Sequence, residues 1–265
     1  MLRALYTSAT GMKAQEMLID NTANNLANVN TTAFKRSRMD FADLYYSNQR
    51  APGSSISNQQ VSPTGLQIGN GVRVVSTSKS FVSGTPEQTG NPLDVAIEGD
   101  GFFQVEIGNG ETRYTRAGSF KLDNGGRLTT PDGFVVLPNI TIANGTDGMS
   151  ITIGKDGTVQ IGTAGSDQGR QTYGPIQIAT FLNPSGLSSE GNNLYKATDA
   201  SGAAVPGTPA AIGYGQLNQG FLEGSNVEVV TELISLIAAQ RAYEINSRAI
   251  RAGDEMLQTA TDIVR

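Results

Sequence analysis

The stretch Ser225-Asn-Val-Glu-Val-Val-Thr-Glu-Leu-Ile-Ser-Leu-Ile-Ala-Ala-Gln-Arg-Ala-Tyr-Glu-Ile-Asn-Ser-Arg-Ala-Ile250 decides how this chain is read. Val229, Leu233, Leu236, Tyr243, Ile250, Leu257 and Val264 recur at heptad spacing, with polar Gln240, Ser247, Asp254 and Thr261 in the gaps. A 3.5-residue apolar repeat asks for a partner helix. Ser225 and Glu228 have the spacing of a capping box, so a helix is expected from 226 to about 263. Residues Val227–Ala239, Ile237 included, are apolar on nearly every face, and a helix of that kind must be covered all round. One partner cannot do that, which points to packing against several subunits.

The other end of the chain answers this stretch. Leu2, Leu5, Ala9, Met12, Ile19, Ala23 and Leu26 fall on a second heptad seam that only Glu16 interrupts. One helix is expected over 2–28, closed by Asn28–Asn30, because Asn tolerates the left-handed conformation that ends helices. The two stripes are expected to pair with each other or with neighbouring copies, Leu2, Leu5, Ala9, Met12, Ile19 and Leu26 packing on Leu233, Leu236, Tyr243, Ile250 and Leu257.

Between the helices the period changes to two. Val72 and Val74, Val95 and Ile97, and Phe103, Val105 and Ile107 alternate with polar residues. Ile151–Ile153 and Val159–Ile161 around Asp156-Gly157 predict a hairpin. Residues 183–215 read as loop-rich with few strands. Residues 34–46 suit an extended arm or a short helix. Residues 47–71 are rich in Ser, Asn, Gln, Gly and Pro, bury little apolar surface, and read as a long loop or extended ribbon. The expected organisation is α+β. Residues 1–30 with 225–265 form a discontinuous coiled-coil domain, 31–71 a linker and ribbon, and 72–224 a central antiparallel β-domain.

Composition removes most chemistry. The 265 residues carry a net charge of −5 and include neither Cys nor His. Disulfides, thiolate metal sites and Cys nucleophiles are thereby excluded, along with the commonest general base. No basic block suits nucleic acid. No run of about 18 apolar residues suits a membrane helix. Only 6% of the residues are aromatic, so one large aromatic core is not expected. The start of the chain lacks the unbroken apolar core of a signal peptide, so export without a cleaved signal is an option beside a cytosolic location. Gly69-Asn-Gly71 and Gly99-Asp-Gly101 are fragments of nucleotide-loop patterns and read better as turns. Glu98 and Asp100 could pose as a glycosidase carboxylate pair, the one hint of a carbohydrate- or peptidoglycan-active β-protein. No catalytic residue, cofactor or metal ligand is otherwise indicated.

Two segments are more specific. Ala23-Asn-Asn-Leu-Ala-Asn-Val-Asn-Thr-Thr-Ala-Phe-Lys-Arg36 resembles the N-terminal signature of the bacterial flagellar basal-body rod and hook family. Gln240-Arg-Ala-Tyr-Glu-Ile-Asn-Ser-Arg-Ala-Ile250, with Asp254, Met256 and Leu257, resembles its C-terminal signature. Asn24, Asn25, Asn28, Phe34, Lys35, Gln240, Arg241, Tyr243 and Asn246 are the motif positions. Ala33 stands where the family usually has Gly. Residues 94–105 and 114–120 resemble the family's β-domain. The stretch from Tyr45 to about Val74 is similar to the extra segment of the distal rod members; Pro52, Gly53, Pro63, Gly65, Leu66, Gly69 and Gly71 are its candidate stiffening residues.

The resemblance implies a structural subunit of a rigid hollow helical tube. Its implied location is the basal body, spanning periplasm to outer membrane. Its implied partners are itself, proximal rod proteins, hook protein, ring proteins of the outer membrane and peptidoglycan, and the type III export apparatus. Proximal rod or hook subunits are the alternatives within the family.

Overall fold

A computed structural model describes residues 2–53, 55–57, 60–61, 63–108, 110–142, 149–163 and 171–263. Val264 lies outside them, as does the side chain of Leu2. The fold is α+β: helix α1 spans Leu2–Ala27, helix α2 spans Val229–Ile263, and antiparallel strands lie between. No described helix is long and apolar enough to cross a membrane.

The chain divides into two units. The first contains Met1–Ala27, Ser37–Ser78 and Glu228–Arg265; the second contains Asn28–Arg36 and Lys79–Val227. The boundary set from sequence at 71/72 falls elsewhere, because strand Val72–Lys79 pairs with strand Ser37–Asp43 and so joins the helices' unit. The segment expected as an arm or short helix is that strand Ser37–Asp43.

In the second unit the strand Phe102–Ile107 is the organising element. It pairs with Glu111–Thr115 along one edge, and Val135–Leu137 and Ile178–Thr180 share the other. Phe103 and Val105, with Val95, Ile97, Phe120, Ile176, Ile178 and Leu217, form the main core. The predicted hairpin is present, with Ile151 opposite Ile161 and Ile153 opposite Val159. Residues 183–215 hold more strand than expected: Ser188–Gly191, Leu194–Lys196 and Val205–Gly207. Ser188–Gly191 is an edge strand exposed at every position, so it carries no apolar alternation to read. The turn that follows places Asn192 and Asn193 at φ 50° and 56°, the left-handed pair a tight hairpin needs. Scarce as they are, aromatic residues gather in a second cluster, where Phe102, Phe181, Tyr114, Tyr195 and Phe81 pack edge to face.

This unit also buries charge. Glu223 accepts from Lys35 Nζ at 2.6 Å and from the Gly84 N–H at 3.0 Å. Arg116 Nε lies 3.4 Å from the other carboxylate oxygen, while its Nη1 donates to the carbonyls of Gly99 and Gly101. All three side chains are at most 3% exposed. Burial pushes the Lys35 ammonium below its usual range; Glu223 opposes that shift and Arg116 adds to it. One carboxylate thus holds two cations.

The consequence is an asymmetry between substitutions. Glu223→Gln leaves two unneutralised buried cations and is expected to lower the unfolding free energy by about 3–5 kcal/mol. Lys35→Met keeps the stem and leaves Arg116 paired, so the expected cost is about 1–3 kcal/mol, from the lost charge-assisted bond to Glu223. Urea unfolding of the full chain checks this; the reverse ranking would contradict it.

Candidate assembly surface

Within the first unit α1 and α2 pack side by side. Three contacts define an antiparallel register. A methyl placed on Gly253 would lie 2.6 Å from Leu5 Cδ2, and one on Gly11 would lie 3.0 Å from Asn246 Nδ2. Asn25 Nδ2 donates to Glu232 Oε2 at 3.4 Å. Gly11 to Asn25 is two heptads, and so is Asn246 to Glu232, so the register holds without a slip.

The seam differs in part from the predicted stripes. On α2, Leu236, Ile250 and Leu257 are half-buried, as the stripe requires, but Tyr243 is exposed. The other heptad position is occupied by Glu232, Ala239, Asn246 and Gly253, one residue before Leu233, Gln240, Ser247 and Asp254. On α1, Leu5, Met12, Ile19 and Leu26 are half-buried, Ala9 and Ala23 are exposed, and the buried residues are Ala14, Thr22 and Asn25. Small and polar side chains therefore fill half of the contact. They let the helices approach closely, and Gly11 and Gly253 sit where an added Cβ would meet the end of a side chain on the other helix, Asn246 and Leu5 respectively.

Further apolar residues of α2 point away from α1. Val230, Ile234 and Ile237 are 64%, 63% and 51% exposed, half a turn from Glu232 and Ala239, and Ile245, next to Asn246, is 66% exposed. Val229 and Leu233 flank them and are also exposed. Monomeric proteins rarely leave so long an apolar face uncovered.

Helix α2 starts at Val229, not at 226. The expected capping box does not form: Ser225 Oγ accepts from the Val227 N–H, and Glu228 accepts from Thr231 Oγ1. Asn226 between them is committed elsewhere, accepting from the Arg36 N–H and donating to the carbonyls of Ser80 and Val82. These bonds hold the segment before the helix in place.

The motif residues sort by environment. Asn25 is 1% exposed and mimics a strand partner: its Oδ1 accepts from the Ser37 N–H at 2.9 Å and its Nδ2 donates to the Ser37 carbonyl at 2.9 Å. Asn21 donates to the same carbonyl. Asn28 Oδ1 accepts from Thr31 Oγ1 in the turn after α1. Phe34 and Lys35 are buried in the second unit, with the Lys79 ammonium 4.8 Å from the Phe34 ring centre. Ala33, where the family usually has Gly, sits at φ 58° and is fully buried. Asn246 faces Gly11; Asn24, Gln240 and Arg241 are exposed.

The Pro/Gly-rich stretch is a hairpin. Tyr46–Arg50 pairs with Leu66–Gly69, and Ser55–Ser57 with Gln60–Val61. Pro52 and Gly53 are exposed in a turn, and Pro63 lies in a bend before the return strand. Gly65 passes so close to Arg50 and Pro52 that a Cβ would meet the Arg50 carbonyl at 2.6 Å. Leu66 stands exposed opposite Arg50, and Gly69 lies under the Tyr46 ring. At the root, Gly71 has φ 114° and a Cβ there would collide with Thr10 Oγ1 on α1. The proposed carboxylate pair gains no chemistry: Glu98 accepts from Gln216 and Asn218, and the Asn218 bond before the Gln216 bond holds its carboxyl below the usual range. A general acid needs the opposite shift.

The comparisons agree with this architecture. Residues 5–35 match the flagella basal body rod protein description, 96–161 the flagellar hook protein FlgE/F/G D1 domain, and 218–263 the flagellar basal body rod FlgEFG protein C-terminal region. The chain is 44% identical over 265 residues to flagellar basal-body rod protein FlgG of Borreliella burgdorferi, covering 100% of both chains. It is 46% identical to the FlgG proteins of Caulobacter vibrioides, covering 99% of both, and of Agrobacterium fabrum, covering 96% of this chain and 97% of the relative. The chain belongs to the flagellar basal-body rod protein family. The relatives are structural rod proteins; the N-terminal match covers most of α1 and its following turn, and the C-terminal match covers the strand Phe221–Glu223 and α2.

Three substitutions at two positions test this part of the rod subunit. Asn25→Ala strands the Ser37 N–H, leaves the Ser37 carbonyl to Asn21 alone, and is expected to destabilise the helix unit by about 1–3 kcal/mol, read by thermal unfolding. Ala33→Gly relieves a left-handed alanine and should change stability by less than about 1 kcal/mol, whereas Ala33→Val should cost at least about 2 kcal/mol. Equal effects of the two Ala33 variants would contradict a constrained turn.

Proposed function

We propose that this rod subunit builds the distal rod, polymerising into a rigid hollow helical tube that transmits torque to the hook and conducts exported subunits. The observation that carries this reading is the bare apolar face of α2 in a subunit whose α1 is already paired. In the tube, the helix pair acts as a coiled coil in the inner layer, and Val230, Ile234 and Ile237 meet helices of neighbouring copies. The similarity to rod proteins over the full length supports the same reading.

The remaining assignments follow from the family. The subunit leaves the cell interior through the type III export apparatus without a cleaved signal. It spans periplasm to outer membrane, joins proximal rod proteins to hook protein, and turns inside the outer-membrane and peptidoglycan rings. The hairpin over 46–69 braces adjacent subunits and limits their sliding, which stiffens the shaft. A proximal rod or hook role fits less well, because the hairpin corresponds to the extra stretch of distal rod members.

Electron microscopy of basal bodies from cells lacking the gene tests the assignment. A rod that stops short with no hook is expected; a complete rod lacking only its hook would move the chain to the hook protein. Ile234→Asp places a charge on a residue already exposed in the single subunit. It should leave the circular dichroism of the purified chain unchanged and abolish rods, since the charge would be buried unpaired on assembly; normal rods would rule out the packing. Deleting 47–68 should yield rods that bend, and rods of unchanged stiffness would remove the bracing role.

A further inference from the structure

We infer that Asn25 and Glu232 are the register-setting residues of the terminal-helix pair. They hold α2 at one height along α1 so that its apolar face meets neighbouring subunits at the correct level. The inference rests on the proposed polymer and goes beyond it by naming what positions the assembling surface.

Apolar heptads alone do not specify this register. Leu5, Met12, Ile19 and Leu26 repeat every seven residues, and so do Leu236, Tyr243, Ile250 and Leu257. Sliding one helix by a heptad superimposes much the same apolar sets after a shift of about 10 Å. The second seam position is different at every step. In the observed register Asn25 meets Glu232, Gly11 meets Asn246 and Leu5 meets Gly253. Continuing it, Leu18 falls at the height of Ala239, so a large side chain faces a small one.

A one-heptad slip in one direction sets Asn25 at Ala239, Leu18 at Asn246 and Gly11 at Gly253. It places an amide opposite a methyl, a leucine opposite an amide, and leaves a gap between two glycines. A slip in the other direction carries Asn25 past the start of α2 and sets Leu18 at Glu232. Either slip removes the Glu232 carboxylate from its amide partner. Both groups are buried, 1% and 2% exposed, so water does not replace the lost bond. A single buried polar pair is a well-attested register device in helical pairs. Asn25 is itself fixed by its two bonds to the Ser37 backbone, which also ties the chosen register to strand Ser37–Asp43.

The chain has no cysteine, so engineered pairs report without background. Gly11→Cys with Asn246→Cys reads the observed register. Gly11→Cys with Ala239→Cys reads the slip in which residue 11 meets 239, being about 10 Å apart otherwise, beyond disulfide reach. Each pair is placed in the full chain as the sole copy, rods are isolated as basal bodies, oxidised, and scored by gel mobility. In the otherwise unaltered chain only the 11/246 pair should close. With Glu232→Leu, closure of 11/246 should fall at least threefold and 11/239 should appear; with Glu232→Gln, which keeps an acceptor for Asn25, 11/246 should persist alone. Exclusive 11/246 closure in Glu232→Leu would overturn the inference, as would closure of 11/239 in the unaltered chain. If Glu232→Leu leaves no closed pair at all, the Gln variant decides: 11/246 alone supports register setting by the hydrogen bond, and any other pattern overturns it. Absence of the cysteine-pair chain from basal bodies in the unaltered background counts against the rod assignment instead, and the register is then read on the purified full chain.

Discussion

Two helices from opposite ends of the chain must find one alignment, and at Asn25 and Glu232 they meet through a buried polar contact. Burying an amide and a carboxylate costs free energy that an apolar pair would not. What the arrangement gains is direction. With small and polar groups taking half of the seam, the helices lie close, and Val230, Ile234, Ile237 and Ile245 of α2 are left facing outward. The same Asn25 closes a backbone-like pair with Ser37, so the helix layer and the strand Ser37–Asp43 depend on one side chain.

The second unit solves a similar problem with charge. Glu223 joins Lys35 from the N-terminal signature to Arg116 from the central sheet, while the strand carrying Glu223 lies just before α2. A turn held at Ala33, a lysine stem and a guanidinium bound to two carbonyls leave this region few alternatives. Its aliphatic core around Phe103 and Val105 supplies most of the burial, at roughly 1.5–3 kcal/mol per large side chain.

The sequence made the outline legible because the dominant signals are periodic. Helices at both ends, the hairpin at Asp156-Gly157 and the change to period two at Val72 all follow from apolar spacing. The all-round apolar character of Val227–Ala239 pointed correctly to a face that α1 leaves bare. What escaped was whatever apolar periodicity does not encode. Leu233 outranks Glu232 on hydrophobicity, yet Glu232 takes the seam because Asn25 stands opposite. Ser225 and Glu228 match a capping box, but the amide of Asn226 is drawn to three backbone groups and delays the helix. Ser188–Gly191 is a strand by its hydrogen bonds alone. Lys35 and Arg116 look like solvated charges until Glu223, far away in sequence, is brought between them.

The most direct measurement of the central claim is electron cryo-microscopy of rods assembled from this chain, read at Val230, Ile234 and Ile237. In rods packed as proposed these side chains are buried against helices of neighbouring subunits, with α1 and α2 of each subunit in the register of Gly11 with Asn246. Side chains that remain solvent-exposed in the assembled rod would contradict that packing.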